Sequence, residues 1–404
     1  MLRFRHTNIA IQPYQSYRTR AHRTAIRTLH RAIKTHIVLL FRLRIVSFRG
    51  EKKFRSVSPR FPPELPGKGV LMTSKEMIQR LVAHDAPPRI GFDFSTRTDL
   101  AFVGSRSYIN LPANPFDQWG DYPELKALTG FRGEVRRDMF GNIYGRFNGR
   151  TKGECIRGVI QDWDDYVFEL PEFDPRYRET LLGMDLSHHP NYVLAWGSSL
   201  FSVLRDARLM TNALMETLTD PESVSGFVDM LAEHEAAVIR SIAGCGVDGW
   251  FFGDDLGTQT ATFISPETFR SLFKPAYRKV AEAAHEAGMA VFMHSCGNDY
   301  ALIEDLIDAG IDVFQFDQPD VYPTEVLVKE FADRVSFHSP VDIQKVLPTG
   351  DREFIESRAL RMCELFRSVG GGWIAKDYPT YGDIGVKEEW AGWARDVIIR
   401  NSAL

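Results

Sequence analysis

The sequence predicts an α/β fold, a (β/α)8 TIM barrel with a hairpin and loop region inserted after the first strand. Three observations carry this. From Pro88 onward, short apolar runs alternate with longer stretches of helical periodicity, as parallel strands with crossover helices do. Polar or ionisable residues follow those runs, where a barrel would gather them on one face. No glycine-rich dinucleotide or phosphate-loop motif is present, which disfavours the doubly wound open sheet.

Strands are predicted at residues 89–94, 192–197, 249–253, 290–294, 311–316, 334–338 and 372–376. Met72-Thr73-Ser74-Lys75-Glu76 reads as an N-terminus running into a first helix that continues through Val82. Residues 266–287 form another, with Ser265 as N-cap, Pro266 in the first turn and Gly288 at the end. Its buried stripe is Phe269, Leu272, Phe273, Ala276, Val280 and Ala284, and Pro275 should kink it. A further stripe of Ile355, Ala359, Met362, Cys363 and Phe366 makes residues 351–369 a helix and puts Cys363 in the core. Residues 98–190 interrupt the rhythm. Within them Asp138-Met139-Phe140-Gly141-Asn142-Ile143-Tyr144 reads as a hairpin turning at Gly141-Asn142, an insertion at the rim.

A net charge of −4 conceals two unlike pieces. Residues 1–71 hold 16 basic residues against Glu51 and Glu64, a balance of +14, which leaves −18 for residues 72–404. Such a break separates a basic head from the barrel. The head could be a nucleic-acid-binding arm or a targeting segment. The favoured reading is sequence upstream of a true start at Met72, unstructured and without a catalytic role. Four cysteines without close paired spacing indicate reduced thiols and a cytoplasmic location. No apolar run reaches the length of a membrane span, and nucleic acid is not an expected partner of the barrel.

The chemistry concentrates at residues 289–298, where an apolar run ends in His294-Ser295-Cys296-Gly297-Asn298. Residues two apart on a strand share a side, so His294 and Cys296 can supply half of a tetrahedral zinc site. The pair also fits a hydrogen-bonded core histidine beside a small buried thiol. Asp93, Asp254 and Asp255 follow other strands and are the catalytic candidates, although Asp254 and Asp255 equally suit helix caps. Trp196, Asp317, Asp342 and Tyr378 are the substrate-binding candidates, with a cap again the alternative for Asp342.

With those residues in view, the chain from about Met72 resembles the uroporphyrinogen decarboxylase superfamily. Its branch of corrinoid-dependent methyltransferases is the nearer likeness. The resemblance rests on residues 138–144, on Gly253-Asp254-Asp255-Leu256-Gly257-Thr258-Gln259, on His294-Ser295-Cys296-Gly297, on Pro340-Val341-Asp342-Ile343-Gln344 and on the triple glycine Gly370-Gly371-Gly372. It implies a (β/α)8 barrel. The decarboxylases carry a signature like Arg-Gln-Ala-Gly-Arg-Tyr, but residues 89–94 here read Arg-Ile-Gly-Phe-Asp-Phe, which lacks that signature and so the cationic pattern that a poly-carboxylate substrate needs. The methyltransferases hold zinc on His-x-Cys and a later cysteine. His294 and Cys296 match the pair, whereas Lys376-Asp377-Tyr378 stands at the later position.

Three functions follow. The leading one is a zinc-dependent methyltransferase or demethylase acting between a small molecule and a thiol or a corrinoid carried by a partner protein. Asp377 is the first candidate for its third metal ligand and His338 the second; a carboxylate there favours an oxygen-bearing substrate such as a methoxy compound. The alternatives are a metal-free decarboxylase of a porphyrinogen-like tetrapyrrole and a non-catalytic ligand-binding barrel.

Overall fold

The computed structural model describes residues 72–104, 114–147, 152–164, 168, 170 and 173–404. The basic head lies outside them. Twelve strands are present among the described residues: β1 (Gly91–Phe94), β2 (Arg97–Thr98), β3 (Leu100–Val103), β4 (Glu134–Arg137), β5 (Ile143–Arg146), β6 (Glu154–Arg157), β7 (Tyr192–Trp196), β8 (Gly249–Gly253), β9 (Ala290–Ser295), β10 (Val313–Phe316), β11 (Ser336–Ser339) and β12 (Trp373–Lys376). All seven expected strands occur. The eighth stave, β3, falls in the region read as insertion, because four residues between Asp99 and Gly104 are too few to show a period.

One sheet runs β2-β1-β12-β11-β10-β9-β8-β7-β3, with every pairing parallel except the β1–β2 hairpin. Its two ends, β2 and β3, are one residue apart in the chain. That residue, Asp99, bridges the seam: its N–H donates to the Phe92 carbonyl at 2.7 Å and its carbonyl accepts from Tyr192 N at 2.9 Å. The buried carboxylate also accepts from Phe92 N, Ser74 Oγ and both terminal nitrogens of Arg89. The curled parallel sheet is thus the predicted α/β barrel.

Alternation sorts each strand into an inner and an outer side. Leu100, Tyr192, Leu194, Phe251, Phe292, Val313 and Ile374 fill the interior with Met77, Ile78 and Leu81 of the helix Ser74–Val82, which plugs the lower end. Thr73 and Glu76 start that helix with a reciprocal capping box. Gly91 is glycine because a Cβ there would lie 2.7 Å from Ile78 Cδ1. A larger apolar layer separates the outer strand faces from the surrounding helices.

The helix expected over residues 266–287 is broken as its proline requires. Pro266–Thr268 leads into a π-helical turn, Phe269–Phe273, before Lys274–Glu286 resumes. Pro275 has no N–H for the regular ladder and its ring displaces the preceding turn. Cys363 is buried on the helix Arg352–Ser368, as its stripe predicts. The insertion carries a separate antiparallel sheet, β4-β5-β6, whose β4–β5 turn is held by the Asp138 carboxylate accepting from Phe140 N and Asn142 N.

Candidate metal centre

The inner alternation continues upward into the barrel mouth. Above Phe251 comes Gly253, above Phe292 comes His294, above Val313 comes Gln315, and above Ser336 comes His338. Gly253, His294, Gln315, His338 and Ile374 are in register across five adjacent strands. Lys376 on β12 and Asp93 on β1 pair one step higher.

His294 Nε2 lies 3.5 Å from Cys296 Sγ and 3.4 Å from Asp255 Oδ1, and the three donor atoms fall within 4.8 Å of one another. Zinc bonds of about 2.0–2.1 Å to nitrogen or oxygen and about 2.3 Å to sulfur place tetrahedral ligand atoms roughly 3.3–3.6 Å apart. The two distances from Nε2 meet that requirement, and with the third pair within 4.8 Å the donors are placed to hold one zinc ion after a small adjustment of Asp255 or Cys296. A three-residue set leaves one position for a substrate atom.

The strand-end loops hold this geometry. Cys296 N donates to Asp255 Oδ1 at 3.0 Å, Asp254 N donates to the His294 carbonyl, and Asn298 N donates to the Thr258 carbonyl. Gly297 has φ of +91°, and a Cβ on it would lie 2.2 Å from the Gly257 carbonyl oxygen. The Cys-Gly pair therefore has a steric reason.

His294 Nδ1 is hydrogen-bonded to Gln315 Oε1. The amide is oriented by its Nε2 donating to Asp317 Oδ1 at 3.4 Å, and Lys376 Nζ donates to the same oxygen at 2.6 Å. An acceptor at Nδ1 puts the proton there and leaves Nε2 to face the cluster. Burial works against charge on His294, but hydrogen bonds with Asp255 and Cys296 override it and hold its pKa well above the ordinary value. Burial likewise opposes ionisation of Asp255, yet the bond from His294 keeps that carboxyl below its usual range. Burial pushes the Cys296 thiol up.

The other expected residues are not with this cluster. Asp377 was the first choice for the third ligand; instead its oxygens accept from Arg395, Ser95 N and Tyr381 Oη. His338, the second choice, is buried and bonded through Nε2 to Asp93 Oδ2 at 3.0 Å. Burial lowers its pKa. The Asp93 carboxyl is itself disfavoured by burial but is held low by His338 and Lys376. The carboxylate that does lie beside His294 and Cys296 is Asp255, which follows the neighbouring strand β8.

Asp254, a catalytic candidate, is fully buried and serves the fold. It accepts from Leu200 N, Phe201 N and Ser202 N at the start of the helix Phe201–Arg208, and from Tyr277 Oη. Asp342, a substrate-binding candidate, accepts from Gln344 N, Lys345 N and Asp320 N, a turn cap. Asp317 stands behind His294 rather than in open space. Trp196 is at the mouth, 39% exposed. Tyr378 lines a cleft of about 620 Å³ with Asp93, Thr98, Lys376 and Asp377, over the ends of β1 and β12. Gln315 and Gly253 were missed. Gln315 was detectable as the one polar residue inside the apolar run 313–316.

A parallel barrel with ionisable residues gathered at the carboxyl ends of its strands is the framework of a TIM-barrel enzyme. Residues 198–376 match the family described as uroporphyrinogen decarboxylase (URO-D), and the chain resembles the methyltransferase branch of that superfamily. It is 27% identical over 165 residues to the methylated-thiol coenzyme M methyltransferase of Methanosarcina mazei, a match covering 41% of this chain and 42% of that protein. The chain thus aligns with about two-fifths of that relative's length. A solved methyltransferase from Methanosarcina mazei superposes with a TM-score of 0.54 at 13% identity, over 81% of this chain and 99% of the other, a likeness of fold. Among the described residues no helix is long and apolar enough to cross a membrane.

Proposed function

We propose that Asp255, His294 and Cys296 hold a zinc ion and that the protein moves a methyl group between a small molecule and a corrinoid on a partner protein or a thiol. The three-donor cluster carries this reading. Zinc bound there would supply a Lewis acid that holds a substrate oxygen or sulfur in the open position and stabilises negative charge on it. The chain's own part is orientation. Gln315 fixes the His294 tautomer, the Lys376–Asp317 pair fixes Gln315, and the Cys296 N–H fixes Asp255. A mixed oxygen, nitrogen and sulfur set is harder than one with two thiolates, which favours an oxygen-bearing methyl donor such as a methoxy compound.

A tetrapyrrole decarboxylation has less support here. Lys376, a cation at the mouth, is already neutralised by Asp317. The test is zinc per chain in the purified protein, followed by methyl transfer from a methoxy compound to added reduced corrinoid. About one zinc per chain and chelator-sensitive transfer are expected. Protein that retains no zinc when folded in its presence defeats this reading.

A further inference from the structure

We propose that Asp299, Tyr322 and Ser295 enclose a buried site for a monovalent cation, sodium or potassium, behind the loops that follow β8, β9 and β10. The site is independent of the zinc and of the reaction proposed above.

Asp299 opens the helix Tyr300–Ala309, where an aspartate would ordinarily cap the first turn, yet its side chain makes no capping bond. Both of its oxygens are buried without a hydrogen-bond partner among the described residues, and so is Tyr322 Oη. The two residues are 0% and 7% exposed. They lie close enough for the Asp299 charge to raise the pKa of the phenol. Ser295 is the third polar side chain of the group: its oxygen accepts from Leu256 N at 3.1 Å, and its hydroxyl acts on Asp299 without completing a bond. Gly257 makes the room, since a Cβ there would lie 2.6 Å from Asp299 Oδ1. Three buried oxygens left open at one place call for an occupant.

That occupant has to answer a charge. A carboxylate taken out of water without a counter-charge costs more than an unpaired neutral group. The ionisable groups that act on it, Asp255 and His294, already answer each other at 3.4 Å. A proton alone would leave a hydroxyl with no acceptor at bonding distance among the described residues. A water molecule would bridge the oxygens but leave the charge standing. A cation does both. Oxygen donors alone, with no nitrogen or sulfur among them, select a hard ion, and a single carboxylate suits one positive charge better than two.

The site ties three loops into one layer. Leu256 and Gly257 follow β8, Ser295 ends β9, and Tyr322 lies beyond β10 in the same segment as Gln318, whose Oε1 accepts from Gly297 N at 3.3 Å. The Tyr322 ring packs against Tyr300 and Phe316, each with centroids 6.0 Å away, so its hydroxyl is held in place. An ion bound there fixes these loops to one another, and its effect is read as stability.

The experiment melts the full-length protein in tetramethylammonium chloride, whose cation is too large for the site. The pH is 8, above the value of about 7 to which burial lifts the Asp299 carboxyl. Sodium or potassium chloride then replaces that salt at constant ionic strength, with zinc content measured in each sample. One of the two ions should raise the thermal midpoint by about 2–4 °C and saturate, as binding at a site does. Asp299→Asn should remove the response. Tyr322→Phe, which deletes one oxygen from a packed ring, should move half-saturation to a concentration about 3- to 10-fold higher. Glu304→Gln, at an exposed carboxylate, should respond as the wild type does. One midpoint in all three salts, the result for an ordered water only, overturns the inference, as does a full response in Asp299→Asn or in Tyr322→Phe. Zinc-free wild-type protein that still answers to the cation would leave this site standing while the metal reading falls.

Discussion

The two sides of the barrel mouth are built from the same kinds of residue and differ in what those residues already touch. Around β10, β11, β12 and β1, Asp317 meets Lys376, Asp93 meets His338 and Asp377 meets Arg395, each charge answered within the protein. Around the ends of β8 and β9, three side chains of different donor chemistry, Asp255, His294 and Cys296, converge on one another. The contrast teaches where to look for ligand chemistry. A carboxylate with its oxygens taken is support, whereas donors aimed at one point are a site.

Exchanging residues between the sides gives the largest effect. His294→Ala and Cys296→Ser should cost well over about 100-fold in zinc affinity, since even outer supports are worth 10- to 100-fold. Asp377→Ala and His338→Ala should keep the metal. Zinc per chain after dialysis against graded chelator reads the difference, and loss of zinc in Asp377→Ala alone would erase the contrast.

Asp254 tests the support role against its immediate neighbour. Asp254→Ala should destabilise the fold by about 3 kcal/mol or more, because it strands three buried backbone donors at a helix start. Urea unfolding measures this. Asp255→Asn, one residue on, should leave stability nearly unchanged while weakening zinc. If the two variants behave alike, the division between anchor and ligand is wrong.

A smaller effect is expected at Gln315. Gln315→Ala removes the acceptor at His294 Nδ1 and should weaken zinc by roughly 10- to 100-fold with the fold intact. Gln315→Glu, which retains an acceptor, should recover most of it. Equal loss in both would show that the amide matters only for packing.

Protonation separates the sides further. His338 has a folded pKa below its ordinary value because of burial, so below about pH 6.5 the unfolded chain takes up a proton that the native one resists. That contribution makes stability fall as pH drops from 7 toward 5. Asp299, buried beside the loops that follow β8 and β9 and pushed up to about 7 by burial, acts in the opposite direction. Its stabilising share is complete below about pH 4 and is lost as pH rises through 7. His338→Gln should flatten the first slope and Asp299→Asn the second, each by a few kcal/mol at most, in thermal melts across pH 4.5 to 8. Unchanged slopes would remove the electrostatic part of the comparison.

The smallest change should come from the basic head. Protein expressed from Met72 is expected to keep the thermal midpoint and the zinc content of the full chain. A markedly lower midpoint would make residues 1–71 part of the fold.

The sequence alone determined the barrel, seven of its eight staves, and His294 and Cys296 as side chains that meet at one strand end. These are local properties: apolar period, turn residues, and the two-residue repeat that puts His294 and Cys296 on one side of a strand. The eighth stave, β3, escaped because its identity comes from pairing with β7 rather than from its own four residues. The tertiary structure alone decided which carboxylate joins the pair. Asp254 and Asp255 are adjacent and chemically equivalent in the chain, yet one is turned onto the helix Phe201–Arg208 and the other toward His294. The same holds for Asp377 and His338, which stand at suitable strand ends but find partners first in Arg395 and Asp93. A carboxylate's role depends on what lies within about 3 Å of its oxygens, and that distance is set by the closure of eight strands.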